Sequence, residues 1–221
     1  MKRILLVFLF CFGLMTVARA EFSFYLIDNF ESGKADKWYK FGEVKLSVEP
    51  NPSFEAAGGA SPEGAVRDVI AESCGDYSLQ LKGRATNWFA GGIGTDLFAD
   101  ATPFTRLQMD VYGNGKGGRI KIELFDDDNG NMVLEQDPAR DWLATNDDKW
   151  VAEVPILGPG WTRISIPFTA FRLDNPGHGD GIWNPDHKNG SGGLLKIQLT
   201  LITDKPQGEV EVGLDNLLLT F

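Results

Sequence analysis

The stretch Leu195-Lys196-Ile197-Gln198-Leu199-Thr200-Leu201 decides the fold class, because apolar and polar side chains alternate along it without a break. A period of two is typical of a β-strand with one face on a hydrophobic core and the other in water. The same alternation recurs in Arg106–Val111, Arg119–Leu124 and Glu209–Leu214. These four segments predict an all-β protein.

Shorter strand candidates fill much of the remaining sequence, with Gly and Pro clusters between them. No segment shows a sustained helical period of 3.6 residues. About ten strands with such breaks are typical of an antiparallel β-sandwich or jelly roll. The shorter candidates are Phe24–Phe30, Val44–Val48, Ser78–Lys82, Trp88–Ile93, Met132–Gln136, Trp150–Pro155 and Trp161–Pro167.

The connections between these strands differ in length. Asp128–Asn131 holds an Asn-Gly pair, which favours a tight hairpin, and Gly113–Gly118 favours another short reversal. Glu49–Asp76 and Leu173–Gly193 are long, and long loops on a compact domain are usually functional or disordered. No linker or internal repeat divides the chain, so residues 21–221 are expected to form a single domain.

Residues 1–20 have the features of a cleavable signal peptide. The basic segment Met1–Arg3 precedes an apolar run of about 14 residues, and Ala18-Arg19-Ala20 has the pattern that signal peptidases cut. The run is shorter than the roughly 20 residues of a transmembrane helix. We therefore expect a secreted or periplasmic protein with no membrane contact after cleavage; a retained anchor is the alternative.

Charge and cysteine content exclude several classes of partner and chemistry. Cleavage removes Lys2, Arg3 and Arg19 from the 21 basic residues, which leaves 18 against 31 acidic residues and a net charge of −13. A surface this acidic repels phosphate groups, so nucleic acid and anionic membranes are not expected partners. It suits divalent cations and neutral ligands. Cys74 is the one remaining cysteine, and an inert thiol is expected there.

Acidic residues near both ends of the mature chain indicate a metal site. Asp28 and Glu31 close the first strand candidate, and Asp215 interrupts the apolar last one, where a carboxylate is costly unless something pairs with it. If those strands are neighbours, the three acids converge on one Ca²⁺; exposed or salt-bridged side chains are the alternative. The run Asp126–Asp128 lacks EF-hand spacing, so a solvated hairpin tip is expected there.

Six Trp residues offer surfaces on which sugar rings stack, while Asp, Asn, Arg and Gln bind the hydroxyl groups. Three lie at strand starts or within strand patterns, where a core position is expected: Trp38, Trp150 and Trp161. For the other three, an exposed platform and the packing of a loop both remain open: Trp88, Trp142 and Trp183. Arg172 and Asp174 follow a strand-like segment, where they suit a cleft rim or form a surface ion pair.

Four parts of the chain match known sequence patterns: Leu26–Glu31 with Trp38, Gly75–Leu81, Trp161–Arg172 and Val212–Leu217. Together they resemble family 11 carbohydrate-binding modules and the related domain of the complex I intermediate-associated 30 kDa protein. Leu26–Glu31 followed by Trp38 resembles the opening, and Gly75–Leu81 fits the second-strand pattern. Trp161–Arg172 is similar to the segment W-x-x-I-x-I-P-F-x-x-F-R, and Val212–Leu217 resembles the terminal V-D-N-I strand. The resemblance spans most of the mature chain.

The resemblance implies a galactose-binding-like jelly roll that binds β-glucan chains on a concave face and carries structural calcium. It implies that Glu31 and Asp215, with Asp28 as a weaker match, ligate the calcium. The positions that match the family's cleft residues are Arg172, Asp174 and, near an aromatic, Trp88. The chain departs from the family pattern at Asn175, where the family has an aromatic residue after the Asp.

The sequence thus predicts a secreted, monomeric, non-catalytic carbohydrate-binding module for a β-glucan-type polysaccharide. An envelope protein-interaction or assembly domain on the same fold is the alternative. A secreted glycosidase or polysaccharide lyase is third, since hydrolysis needs a suitably spaced pair of carboxyls and the acidic strand Glu209–Asp215 lacks the spacing of sandwich glucanases. The expected ligand-binding residues are Trp88, Trp142, Arg172, Asp174 and Trp183.

Overall fold

The structure is a computed structural model that describes residues 24–51 and 75–221. The expected signal peptide, Cys74 and most of the Glu49–Asp76 connection lie outside the described residues. None of the described segments forms a helix long and apolar enough to span a bilayer.

The strands in chain order are β1 (Tyr25–Asp28), β2 (Tyr39–Gly42), β3 (Val44–Pro50), β4 (Tyr77–Ala85), β5 (Phe89–Ala99), β6 (Arg106–Gly113), β7 (Arg119–Asp126), β8 (Gln136–Asp137), β9 (Leu143–Ala144), β10 (Asp148–Pro155), β11 (Gly160–Pro167), β12 (Arg172–Leu173), β13 (Leu194–Ile202) and β14 (Gly208–Thr220). Two single 3-10 turns accompany them, Pro138–Arg140 and Phe168–Ala170.

Two six-stranded antiparallel sheets enclose the core. The first has the order β11-β6-β14-β4-β3, and β1 pairs with the second half of β14. The second has the order β12-β10-β7-β13-β5-β2, while β8 and β9 form a separate ribbon. The predicted all-β antiparallel sandwich is therefore confirmed.

The core lies between the sheets and follows the period-two pattern. On β13, Ile197, Leu199 and Leu201 are fully buried, while Lys196 and Gln198 face outward. Burying a Leu or Ile side chain contributes about 1.5–3 kcal/mol, so this alternation fixes which face of each strand turns inward. The outward face of the second sheet is consequently polar.

Two of the expected turns are wrong. The Asn-Gly hairpin at Asp128–Asn131 does not form: β7 ends at Asp126 and its partner β10 begins only at Asp148. The carboxylate of Asp127 accepts hydrogen bonds from the backbone N–H groups of Gly130, Met132 and Gly192, and these hold the segment in an irregular loop. The other turn, Gly113–Gly118, leads from the first sheet to the second and does not reverse within one sheet.

The tryptophans expected in the core divide between the two faces of the sheets. Trp38 is 6% exposed, and Trp150 packs against the core from β10. Trp161 is not in the core: Ile164 on the same strand packs inward, and the alternation places Trp161 on the outer face of the first sheet. There its ring meets Tyr112 edge to face, with ring centroids 5.3 Å apart.

The predicted long connection Leu173–Gly193 is confirmed, because β12 ends at Leu173 and β13 starts at Leu194. Trp183 anchors this loop. Its ring centroid lies 4.8 Å from that of Phe168 and 5.9 Å from that of Trp150, next to the core. The loop therefore has a packed apolar attachment although it contains no regular structure.

Candidate functional site

One row of residues crosses the whole outer face of the second sheet. Its members are Cα partners in successive strand pairs, so they lie side by side at the usual inter-strand spacing of about 4.8 Å. From one edge to the other the row reads Tyr39, Gly94, Gln198, Glu123, Val151 and Arg172.

Two aromatic rings lie next to each other at one end of this face, with ring centroids 6.5 Å apart. Tyr39 and Phe41 project outward from β2, and their Cα partners on β5 are Gly94 and Gly92. A Cβ on Gly94 would collide with the Tyr39 ring, and one on Gly92 would come within 2.8 Å of Phe41 Cζ. Gly94 thus makes room for the ring of Tyr39, a residue that is 40% exposed, while a Cβ on Gly92 would first meet the carbonyl oxygen of Leu199.

Polar groups surround these rings. Lys196 Nζ lies 5.1 Å above the centroid of the Tyr39 ring and 3.4 Å from Asp96 Oδ1. Burial, and then the carboxylates of Asp96 and Glu123, raise the pKa of Tyr39 above its usual value, so its phenol remains neutral. The surface combines stacking area with fixed hydrogen-bonding groups.

An ion-pair network occupies the centre of the face. Lys149 Nζ lies 2.7 Å from Asp174 Oδ2, and Lys121 Nζ lies 3.1 Å from Glu123 Oε1 and 3.5 Å from Asp174. Burial acts to raise the pKa of Asp174, but the ammonium groups of Lys149 and Lys121 outweigh it and hold that pKa below the ordinary value. The formal charges of the two lysines and the two carboxylates in this network cancel.

Arg172 and Asp174 both lie on this face, at the edge formed by β12. Asp174 belongs to the network, while Arg172 is exposed at the end of the row. Asn175 is 2% exposed; it accepts from the backbone N–H of Lys149 and donates to the carbonyls of Ala144 and Asp147. Asn175, where the chain departs from the family pattern, therefore has a structural role: its side-chain amide holds the start of β10 in place.

The three loop tryptophans that the sequence suggested as ligand-binding residues do not lie on one common surface. Trp183 is packed against the core, as described above. Trp88, 40% exposed, precedes β5 near the Arg119 end of β7, where its backbone bonds to Pro206 and Thr203. Trp142, 63% exposed, lies in the loop that follows the opposite end of β7. The aromatic pair on the sheet, the exposed Tyr39 and the half-buried Phe41, was not predicted from the sequence.

Of the predicted calcium ligands, Glu31 and Asp215 lie near each other. β1 and β14 are neighbours, which was the condition for convergence. Asp215 is fully buried and accepts hydrogen bonds from the Asn216 backbone and from Asn51 Nδ2. Burial raises its pKa to about 7, and the carboxylates of Asp110 and Glu31 act in the same direction.

Asp28 has other partners. It accepts a hydrogen bond of 2.8 Å from Trp38 Nε1 and one of 2.9 Å from the backbone N–H of Phe30, and it lies 3.3 Å from Lys37 Nζ. These contacts tie the segment after β1 to the core tryptophan. Calcium ligation by Asp28, Glu31 and Asp215 stays a prediction.

The acidic run Asp126–Asp128 is not a solvated hairpin tip. Asp126 is fully buried and Asp127 is 5% exposed, since the Leu173–Gly193 loop folds over them. One carboxylate oxygen each from Asp128, Asp148 and Asp180 lie within 4.8 Å of one another. Burial raises the pKa of Asp126 to about 8 and that of Asp128 to about 7, and neighbouring carboxylates act in the same direction.

The structure is similar to solved carbohydrate-binding modules of family 11, which confirms the predicted resemblance at the level of the fold. The family 11 module from Clostridium thermocellum in complex with a beta-1,3-1,4-mixed-linked tetrasaccharide matches 89% of this chain and 95% of its own, with a TM-score of 0.54 and 16% identity. The family 11 module of the cellulosomal cellulase Lic26A-Cel5E of the same organism matches 90% and 94%, with a TM-score of 0.53 and 14% identity.

An exo-beta-agarase shares the fold over part of its length. The match covers 89% of this chain and 24% of the agarase, with a TM-score of 0.55 and 12% identity. No protein-family model matches the chain, and no curated protein matches it either. At these identities the comparisons show a common fold.

Proposed function

We propose that this chain is an exported, non-catalytic carbohydrate-binding protein that holds a neutral polysaccharide, of the β-glucan type, on the outer face of its second sheet. The observation that carries the proposal is the aromatic pair of Tyr39 and Phe41 beside Gly94 and Gly92, at one end of a row of residues that crosses six strands. The fold similarity to family 11 modules supports it.

The chemistry of the face suits a sugar chain. Pyranose C–H faces stack on Tyr39 and Phe41, and Gln198, Lys196 and Arg172 offer hydrogen bonds to hydroxyl groups. The charges of the central network compensate one another, which favours a neutral ligand over an ionic one. Because most of each sugar remains in water, the expected dissociation constant is on the order of 10–1000 μM.

A binding role is favoured over catalysis by the state of the carboxylates on this face. A glycosidase needs one carboxyl group that keeps a proton near neutral pH. Glu123 and Asp174 are both held by lysines, and the pKa of Asp174 lies below its ordinary value. Asp174 therefore stays ionised, and both carboxylates serve to position the lysines.

We further propose that Glu31 and Asp215 hold a structural Ca²⁺, without Asp28. The fit rests on Asp215, a fully buried carboxylate that forms no salt bridge with any Lys or Arg of the described residues. Carboxylate and carbonyl oxygens are the ligands that Ca²⁺ prefers. A bound ion would compensate this charge and tie β14 to the segment after β1.

Isothermal titration calorimetry of residues 21–221 against soluble β-glucans, xylans and mannans tests the proposed function. Binding to at least one neutral polysaccharide is expected, without release of reducing sugar. No heat with any member of the panel would reject the proposal, and capture of an envelope protein in its place would favour an assembly role. Release of reducing sugar would show an enzyme.

A further inference from the structure

We propose a second cation site, at which Asp128, Asp148 and Asp180 ligate a Ca²⁺ ion, with Asp126 close by at the end of β7. The site lies where β7 ends and β10 begins, under the Leu173–Gly193 loop. It does not depend on the carbohydrate-binding function, and it is distinct from Glu31 and Asp215 because its residues come from other segments of the chain.

The distances among the three ligand oxygens fit one ion. Ca²⁺ binds carboxylate oxygens at about 2.3–2.6 Å, so two oxygens on the same ion stand at most about 5 Å apart. One oxygen each from Asp128, Asp148 and Asp180 lie within 4.8 Å of one another. Three residues from distant parts of the chain thus present ligands at the required spacing.

Each buried carboxylate has one oxygen fixed and one oxygen left over. The fixed oxygens accept backbone N–H groups: Asp148 Oδ2 from Gly181 at 2.8 Å, Asp128 Oδ2 from Asp148 at 2.7 Å and Asp126 Oδ2 from Asn184 at 2.9 Å. Oδ1 of all three is buried and makes no hydrogen bond. Asp126 and Asp148 are fully buried, so bulk solvent does not reach these oxygens, and a buried charge without a partner is costly.

Gly179 shows that the loop is shaped around the carboxylates. A Cβ at this position would collide with Asp128 Oδ2 and with Asp148 Oδ1. A side chain would therefore enter the space between the two carboxylates. The loop approaches them with its backbone alone, and it contributes Asp180 as the third ligand.

The donor set selects the kind of cation. All the ligands are carboxylate oxygens, which favour a hard ion such as Ca²⁺ over Zn²⁺ or Cu²⁺. No Lys or Arg within residues 24–51 and 75–221 forms a salt bridge with these four aspartates. A divalent cation compensates this charge, and it links β7, β10 and the loop that leads to β13.

Terbium luminescence of the metal-free protein tests the site, because Tb³⁺ takes the ligands of Ca²⁺ and Trp183 lies in the same loop to sensitise its emission. The wild type should show emission that excess Ca²⁺ displaces. Asp180→Asn changes an exposed residue, so it keeps the fold, and it should lower Tb³⁺ affinity at least tenfold. Asp186→Asn is the matched control, since Asp186 lies in the same loop and already pairs with Lys188 at 2.7 Å.

Thermal melting with and without Ca²⁺ gives a second measurement. Asp148→Asn should melt at or above the temperature of the metal-free wild type, because one buried charge is gone, but it should lose the rise that Ca²⁺ produces at this site. Glu31→Gln should keep the Asp180-dependent Tb³⁺ signal, which separates this site from the first. If Asp180→Asn and Asp148→Asn bind Tb³⁺ like Asp186→Asn, the proposal is wrong.

Discussion

The ring of Tyr39 on β2 rests above Gly94 on β5, in the space where any other residue would have its Cβ. Two residues along, a Cβ on Gly92 would stand 2.8 Å from Phe41 Cζ, although the carbonyl oxygen of Leu199 would be nearer. Glycine in a strand interior weakens the strand and often marks the close approach of another group. Here the approaching group is the aromatic pair of Tyr39 and Phe41. The glycines that weaken β5 therefore lie directly beneath the proposed sugar-binding surface.

The substitution Gly94→Ala should weaken polysaccharide binding on the order of tenfold, because the new methyl group lifts the Tyr39 ring off the sheet. Calorimetry measures the affinity, and thermal melting shows that the domain still folds. Gly213→Ala is the control. Gly213 lies on the outer face of the first sheet, where an added Cβ meets the flexible side chain of Gln80 at 2.9 Å and the Cβ of Tyr112 at 3.0 Å. The Gly213→Ala variant should bind polysaccharide like the wild type.

Trp183→Ala should lower the free energy of unfolding by about 2–3 kcal/mol, since the indole packs against Phe168 and Trp150. Trp142→Ala removes a ring that is 63% exposed and should change stability by less than about 0.5 kcal/mol. Urea unfolding monitored by circular dichroism compares the two variants. Equal stability of both would contradict the assignment of Trp183 to a packing role.

Substitutions of Arg172 and Asp174 should differ in their effect on stability, although both should weaken polysaccharide binding. Arg172→Ala removes an exposed group at the end of the row and should weaken binding several-fold without a change in melting temperature. Asp174→Asn takes away the carboxylate that holds Lys149 at 2.7 Å, and it should also lower stability by about 1 kcal/mol. If Arg172→Ala binds like the wild type, the glycan does not reach the β12 edge.

Chelation should expose the Leu173–Gly193 loop to protease. The side chain of Lys188 is 76% exposed, and a loop that loses its tie to Asp148 and Asp128 opens more often. Trypsin should cut after Lys188 faster in EDTA than in Ca²⁺, as followed by mass spectrometry. Asp180→Asn should be cut at the fast rate in both buffers; an equal, slow rate for the wild type in both would argue against a metal-held loop.

The sheets could be predicted from the sequence because a strand with one buried face has apolar side chains at every second position. The alternation in Leu195–Leu201 and Arg119–Leu124 identified β13 and β7 directly. The short strand β2 was missed, since Tyr39–Gly42 has no apolar inward series. Its signal was the glycine alternation at Gly92 and Gly94, but the sequence does not say which strand lies beside them.

The carboxylate cluster was missed for a different reason. A spacing rule such as that of the EF-hand finds ligands only within one loop. Asp128, Asp148 and Asp180 come together because β7 pairs with β10 and because Trp183 anchors the long loop, and both are tertiary contacts. Trp88 and Trp142 illustrate the reverse, since the sequence left a platform role open for both, while the topology puts them at opposite ends of β7.

Calorimetry on the double variant Tyr39→Ala/Phe41→Ala, with Tyr112→Ala as the matched loss of an aromatic on the first sheet, tests the central claim most directly. Titrated with a neutral polysaccharide that the wild type binds, the double variant should give no measurable heat while it keeps a cooperative melting transition. Tyr112→Ala should bind like the wild type. Unchanged affinity in the double variant would contradict the assignment of the ligand to the outer face of the second sheet.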